Sequence, residues 1–122
     1  MQEPLQLAFR NMAAPIGLEE AIREEFTALE QFCDRIAACH VTVEAEQHRQ
    51  RHGKLYRVRI VMTVPGREIV VAREPAERHR YDDVHIAMRD AFHAARRQLV
   101  DYARMAKGAV KAHVAAQPDM VA

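Results

Sequence analysis

No stretch of the 122-residue chain approaches the roughly 20 consecutive apolar residues that a membrane-spanning helix needs. Its start, Met-Gln-Glu-Pro-Leu, has neither the basic region nor the apolar core of a secretory signal. A cytoplasmic protein without a membrane partner is therefore expected. Cysteine is scarce. Cys33 and Cys39 are the only two, and their spacing suits neither a zinc site nor a redox pair. Both fall within apolar patterns and read as reduced core thiols. Aromatics are few as well: four Phe, three Tyr and no Trp. Most of these belong to apolar faces, which disfavours the aromatic platforms on which many single-strand binders stack bases.

Catalytic signatures are also missing. There is no G-x-S-x-G, no P-loop, no G-x-G-x-x-G and no H-E-x-x-H. Of seven histidines, His40, His48, His52 and His79 fall on polar faces or in loops beside basic residues. His85 and His93 lie on a predicted helix with no nucleophile at a telling spacing. His48 and His52 have no acid or cysteine at ligand spacing. No enzyme activity, cofactor or metal is expected.

The residues that are present form one α+β pattern, and the length fits a single domain. Leu5, Leu7 and Phe9 alternate with polar residues and predict a strand. Leu18, Ile22, Phe26, Leu29, Phe32 and Cys33 recur at helical steps over 16–33, with Pro15 suited to the first turn. Residues 39–45 alternate again. Residues 46–53 are polar and basic and read as a loop or frayed strand end. Residues 54–64 and 68–73 form a hairpin about the Pro65-Gly66 turn. The charged stretch 74–82, with Pro75, reads as a loop. Val84, Met88, Ala91, Phe92, Ala95, Leu99 and Tyr102 hold the helical period over 83–107. Asp82 and Asp83 offer an N-cap, and Gly108 a stop, unless the helix runs on past it. The order β-α-β-β-β-α predicts a two-layer domain over 1–108: a four-stranded sheet with both helices on one face. Residues 109–122 read as a flexible tail.

Charge is segregated along the chain. Residues 17–34 hold six acids against Arg23 alone, a charge of −5, which leaves +6 for the rest of a chain whose net charge is +1. Residues 47–73 hold seven Arg or Lys, with Glu68 the only acid. On the second helix, Arg89, His93, Arg96, Arg97, Arg104 and Lys107 share one sector of about 100°, opposite the apolar face, and Lys111 joins them if the helix continues. Such a stripe suits phosphates, because guanidinium groups bind them bidentately and stay charged. It is also what a solvated helix face with a favourable dipole looks like. Arg57 and Arg59 point away from Tyr56, Val58 and Ile60, onto the open sheet face, and Lys54 belongs to the basic loop beside them. The candidate RNA-binding residues are thus Lys54, Arg57, Arg59, Arg89, Arg96, Arg97, Arg104 and Lys107.

The element order, the run Asp83-Val84-His85-Ile86-Ala87-Met88-Arg89 and the later Arg97-Gln98-Leu99 resemble the ribosome hibernation promoting factors, also called ribosome-associated inhibitors. Leu29-Glu30-Gln31-Phe32, Asp34-Arg35-Ile36 and the turn Val64-Pro65-Gly66-Arg67-Glu68 add to the likeness, which covers residues 4 to about 107. It is closest in kind to the short, sigma-factor-modulation-like members. The resemblance implies a fold similar to double-stranded-RNA-binding domains. It implies a translation inhibitor of stress or stationary phase that binds 16S ribosomal RNA of the small subunit, between head and body, over the messenger and transfer RNA sites. It implies no DNA partner, and the oligomeric state stays open. Of the candidates, Arg97 sits in a run that matches the family; the others rest on the charge pattern. Two features depart from the family: the first helix is strongly acidic, and the loop at 46–54 is longer and more basic. The chain is also expected to lack the further domain by which long members pair ribosomes. The alternative reading is a protein-binding regulatory module that uses the acidic first helix.

Overall fold

The computed structural model describes residues 4–47, 54–73 and 83–116, with the backbone alone for Gln47, Lys54, Arg73 and 107–116. The elements follow in the order β1 (Leu5–Arg10), α1 (Leu18–Phe32), β2 (Ala38–Gln47), β3 (Lys54–Val64), β4 (Arg67–Arg73) and α2 (Val84–Ala116). The two loops at 48–53 and 74–82, the side chains of Lys54 and Lys107, and residues 117–122 lie outside the described residues.

The four strands form one sheet in the order β1-β2-β3-β4. β2, β3 and β4 pair antiparallel, as short connections favour, whereas β1 pairs parallel with β2. A parallel pair needs a long crossover, and α1 supplies it. The hairpin turn follows from its two residues. Pro65 fixes φ near −65° and Gly66 takes φ 89°, the φ values of a type II turn.

Strand alternation sends Cys39, Val41, Val43, Val58, Ile60, Met62, Val64, Ile69 and Val71 into the core. The helices close over that face with Leu18, Ile22, Phe26 and Leu29 of α1 and Val84, Met88, Phe92, Leu99 and Tyr102 of α2. Neither described helix covers the other sheet face. Cys33 and Cys39 are both buried and unbridged. Burial, with Glu30 adding to it, pushes the Cys39 thiol up to about 12, so it stays protonated and unreactive at neutral pH.

Three details correct the sequence reading. α1 begins at Leu18, after Gly17 in the left-handed conformation, so Pro15 precedes the helix, its carbonyl accepting the Leu18 N–H at 3.1 Å. Phe32 is not core: it ends α1 40% exposed. α2 does not stop at Gly108 but runs to Ala116. A glycine costs a helix only about 1 kcal/mol relative to alanine, and here strong helix formers flank it on both sides. At its other end, Asp83 caps α2, its Oδ1 accepting the N–H of His85 at 2.9 Å and of Ile86 at 3.4 Å.

From that cap α2 runs back over β3 and β4. Near its middle the Tyr102 hydroxyl donates to the Pro65 carbonyl at 3.0 Å, which ties the helix to the β3–β4 turn. The 14 residues beyond Tyr102 carry the helix about 20 Å past that point.

Candidate nucleic-acid interface

The outer side of α2 is built by spacing alone. With Phe92, Leu99 and Tyr102 held in the core, residues near 180° from them must face out. Arg89, His93, Arg97 and Arg104, at steps of four, four and seven, are all exposed. They form a row about 22 Å long. Among the described residues no carboxylate lies within ion-pair distance of Arg89, Arg97 or Arg104. Asp90 and Asp101 flank the row without pairing to it. Three guanidinium groups therefore stand with their donors in solvent, ready for bidentate contact with phosphate oxygens.

Arg96 is placed differently. It lies on the side of α2 that faces α1, with its guanidinium 5.1 Å from the Phe32 ring centroid. The exposed Phe32 and the stacked Arg96 thus cover each other, an interaction of about 0.5–1 kcal/mol at such a site. Arg96 contributes charge to the edge of the row, but its plane is already engaged.

Arg57 and Arg59 do point onto the open sheet face, opposite Val58 and Ile60. They do not stand there alone. Parallel pairing of β1 with β2 sets Arg10 beside Glu44, and Glu44 in turn faces Arg57 across the next pair. Arg57 also pairs with Glu46, Nη2 to Oε2 at 3.0 Å. Exposed pairs of this kind contribute about 0–1 kcal/mol, yet they offset charge locally. With Thr42 and Ala72 these groups line a depression of about 390 Å³. Around this depression three arginines stand against Glu44 and Glu46, and Glu68 of β4, exposed on the same sheet face, brings the described charges of the whole face into balance. Arg10 is the residue that strand periodicity could not single out, because only the β1–β2 register brings it to the site.

The two basic features lie on opposite sides of the domain. The α2 row faces away from the sheet, and the Arg57/Arg59 face looks away from the helices. The full two-layer thickness separates them, so no flat surface touches both. The acids of α1 form a third region. Glu19, Glu20, Glu24 and Glu30 are exposed and share the helix layer with the basic row. The helix layer is therefore positive along α2 and negative along α1. A polyanion is attracted to one helix and repelled by the other.

Among the described residues no group of three or more His, Cys, Asp or Glu side chains is placed to hold a metal ion. No described helix is long and apolar enough to cross a membrane.

No curated protein sequence matches the chain. Several solved structures share its fold, among them the following two. A ribosomal subunit interface protein from Coxiella burnetii superimposes with a TM-score of 0.67 at 17% identity, covering 82% of this chain and 97% of that one. The Protein Y N-terminal domain from Thermus thermophilus gives 0.57 at 18% identity, covering 80% of this chain and 94% of that one. The profile of the family described as "Sigma 54 modulation protein / S30EA ribosomal protein" matches residues 5–107. That span takes in all four strands, α1 and the whole described arginine row of α2. By this match across most of its length, the chain belongs to the Sigma 54 modulation protein / S30EA ribosomal protein family.

Proposed function

We propose that this protein is a ribosome-associated translation inhibitor that binds small-subunit ribosomal RNA and blocks the messenger and transfer RNA sites under stress. The observation that carries the reading is the row Arg89, Arg97 and Arg104 on α2, exposed and without a carboxylate partner among the described residues, in a chain of this family. Such a row tracks a phosphate backbone and reads no base edges, which suits a partner recognised by shape. The ribosomal subunit interface protein of similar fold supports the ribosome as that partner.

The two-sided charge distribution supports the same partner on geometric grounds. A domain that carries arginines on opposite faces gains most when RNA lies on both sides of it. A cleft walled by ribosomal RNA provides that arrangement, and a single exposed helix does not. Within the cleft, Arg89, Arg97 and Arg104 meet one wall, while Arg59, with Arg10 and Arg57, meets the other. Lys54, at the start of β3, and Lys107, on α2, are further proposed phosphate contacts. Occupying such a cleft excludes other RNA by volume, so inhibition needs no chemical step.

The test is competition. Small subunits saturated with the protein are expected to lose messenger-programmed transfer RNA binding in proportion to occupancy. Full transfer RNA binding on saturated subunits would refute the blocking mechanism. The exposed acids of α1 favour a second reading, a protein-binding module. Recovery of a protein partner after nuclease treatment, with no ribosomal RNA, would favour that reading instead.

A further inference from the structure

We propose that the cleft between the β3–β4 turn and the C-terminal half of α2 takes one unpaired RNA nucleotide, its base stacked on the Arg67 guanidinium and its phosphate on Arg35. This rests on the ribosomal-RNA reading above and adds to it a site outside both basic surfaces already described.

Three segments meet there. Arg35 comes from the connection between α1 and β2, which the Ala37 N–H pins to the Thr63 carbonyl at the end of β3, at 2.8 Å. Pro65 and Gly66 form the turn. Tyr102 and Met105 come from α2. Together they line a shallow, open depression of about 350 Å³, wide enough to seat one base at the surface.

The chemistry of the cleft is specific. Tyr102 is only 7% exposed, and its ring is spent: the hydroxyl donates to Pro65, and the Arg67 guanidinium lies 5.2 Å from the ring centroid. The guanidinium is thereby held over the tyrosine ring on one side, and its exposed side remains for a ligand. Guanidinium planes stack unpaired bases in RNA complexes. Met105, 62% exposed beside it, gives the base an apolar and polarizable neighbour. Both Arg35 and Arg67 are exposed, and among the described residues no carboxylate pairs with either. A second cation beside a fixed plane matches a base and its phosphate. An acidic peptide would use the charges but would leave the plane and Met105 without a partner. The scarcity of free aromatics does not oppose the site, because here the stacking surface is the guanidinium.

The test uses the full chain with isotope-labelled methionine methyl groups, Met105 being assigned through Met105→Leu. Titration with a short single-stranded oligoadenylate is expected to move the Met105 methyl signal upfield, saturably, whereas inorganic phosphate leaves it in place. Arg67→Lys keeps the charge and loses the plane, and is expected to weaken oligoadenylate binding roughly tenfold. The proposal is overturned by a motionless Met105 signal, by an equal response to phosphate alone, by a response to oligoglutamate but not oligoadenylate, or by wild-type affinity in Arg67→Lys. Sedimentation of the same proteins with small subunits separates the two readings. Subunit binding with a silent Met105 signal removes the cleft alone. No subunit binding by the unaltered protein removes the ribosomal reading, whatever the methyl group reports.

Discussion

Changing Arg89, Arg97 and Arg104 together to Glu is expected to abolish co-sedimentation with small ribosomal subunits and leave the fold intact. All three side chains are exposed and free of carboxylate partners among the described residues, so the fold loses little when they change. Surface substitutions of this kind stay within about 0.5 kcal/mol each. Binding loses far more. The net charge passes from +1 to −5, and three attractive phosphate contacts become repulsive. An affinity loss of at least about a hundredfold is expected, with a log–log salt slope shallower by about three, one unit for each contact removed. Arg96 is left out of the set on purpose. Its stacking on Phe32 means that Arg96→Glu would disturb the α1–α2 packing as well as the charge. Thermal unfolding and sedimentation, measured on the same preparation, check both halves. A triple variant that unfolds at the normal temperature and still binds normally would remove α2 from the interface.

The second large effect is on stability. Phe92 is the largest of the fully buried side chains, 2% exposed, and it sits under α2. Phe92→Ala leaves a void between α2 and the sheet that neighbouring β-branched residues cannot collapse to fill. Such truncations cost about 3–5 kcal/mol. Domains of this size are stable by only about 5–15 kcal/mol. The melting temperature is therefore expected to fall by roughly 10–20 °C. Calorimetry or circular dichroism measures it. A fall of only a few degrees would mean that α2 does not seal the core as described. The functional consequence also differs in kind from that of the arginine variant. Phe92→Ala should lose ribosome binding only as it unfolds, and recover it on cooling.

Much of the fold was legible in the sequence, for identifiable reasons. Strand alternation in Val58, Ile60 and Met62 fixes which face Arg57 and Arg59 occupy, since the side-chain period of a strand leaves no choice. The apolar stripe of α2 likewise fixes the outward row. What the sequence hid was long-range. The ion pair of Arg57 with Glu46, and the placing of Arg10 beside Glu44, depend on strand register, which no local pattern carries. Arg96 looks like one more member of the row until the packing of α1 on α2 sets it over Phe32. Phe32 itself follows the helical period of the core, but it lies at the edge of the apolar stripe, where it meets Arg96 of α2. Gly108 misleads for a different reason: a glycine marks a helix end only when the backbone turns left-handed there, and a single residue of low propensity does not force that. The placing of the basic residues follows from the same patterns: with both helices on one sheet face, the α2 row and the Arg57/Arg59 strand stand back to back. That arrangement turns a simple docking patch into a domain suited to a cleft.

The central physical claim is that this small domain, of nearly neutral net charge, binds the small subunit through a localised row of guanidinium groups. Sedimentation of the purified protein with isolated small subunits, at a low and a physiological salt concentration, tests it most directly. The expected result is stoichiometric binding at low salt that weakens steeply as salt rises, because each neutralised phosphate releases counterions. Absence of binding at low salt, or binding indifferent to salt, would contradict it.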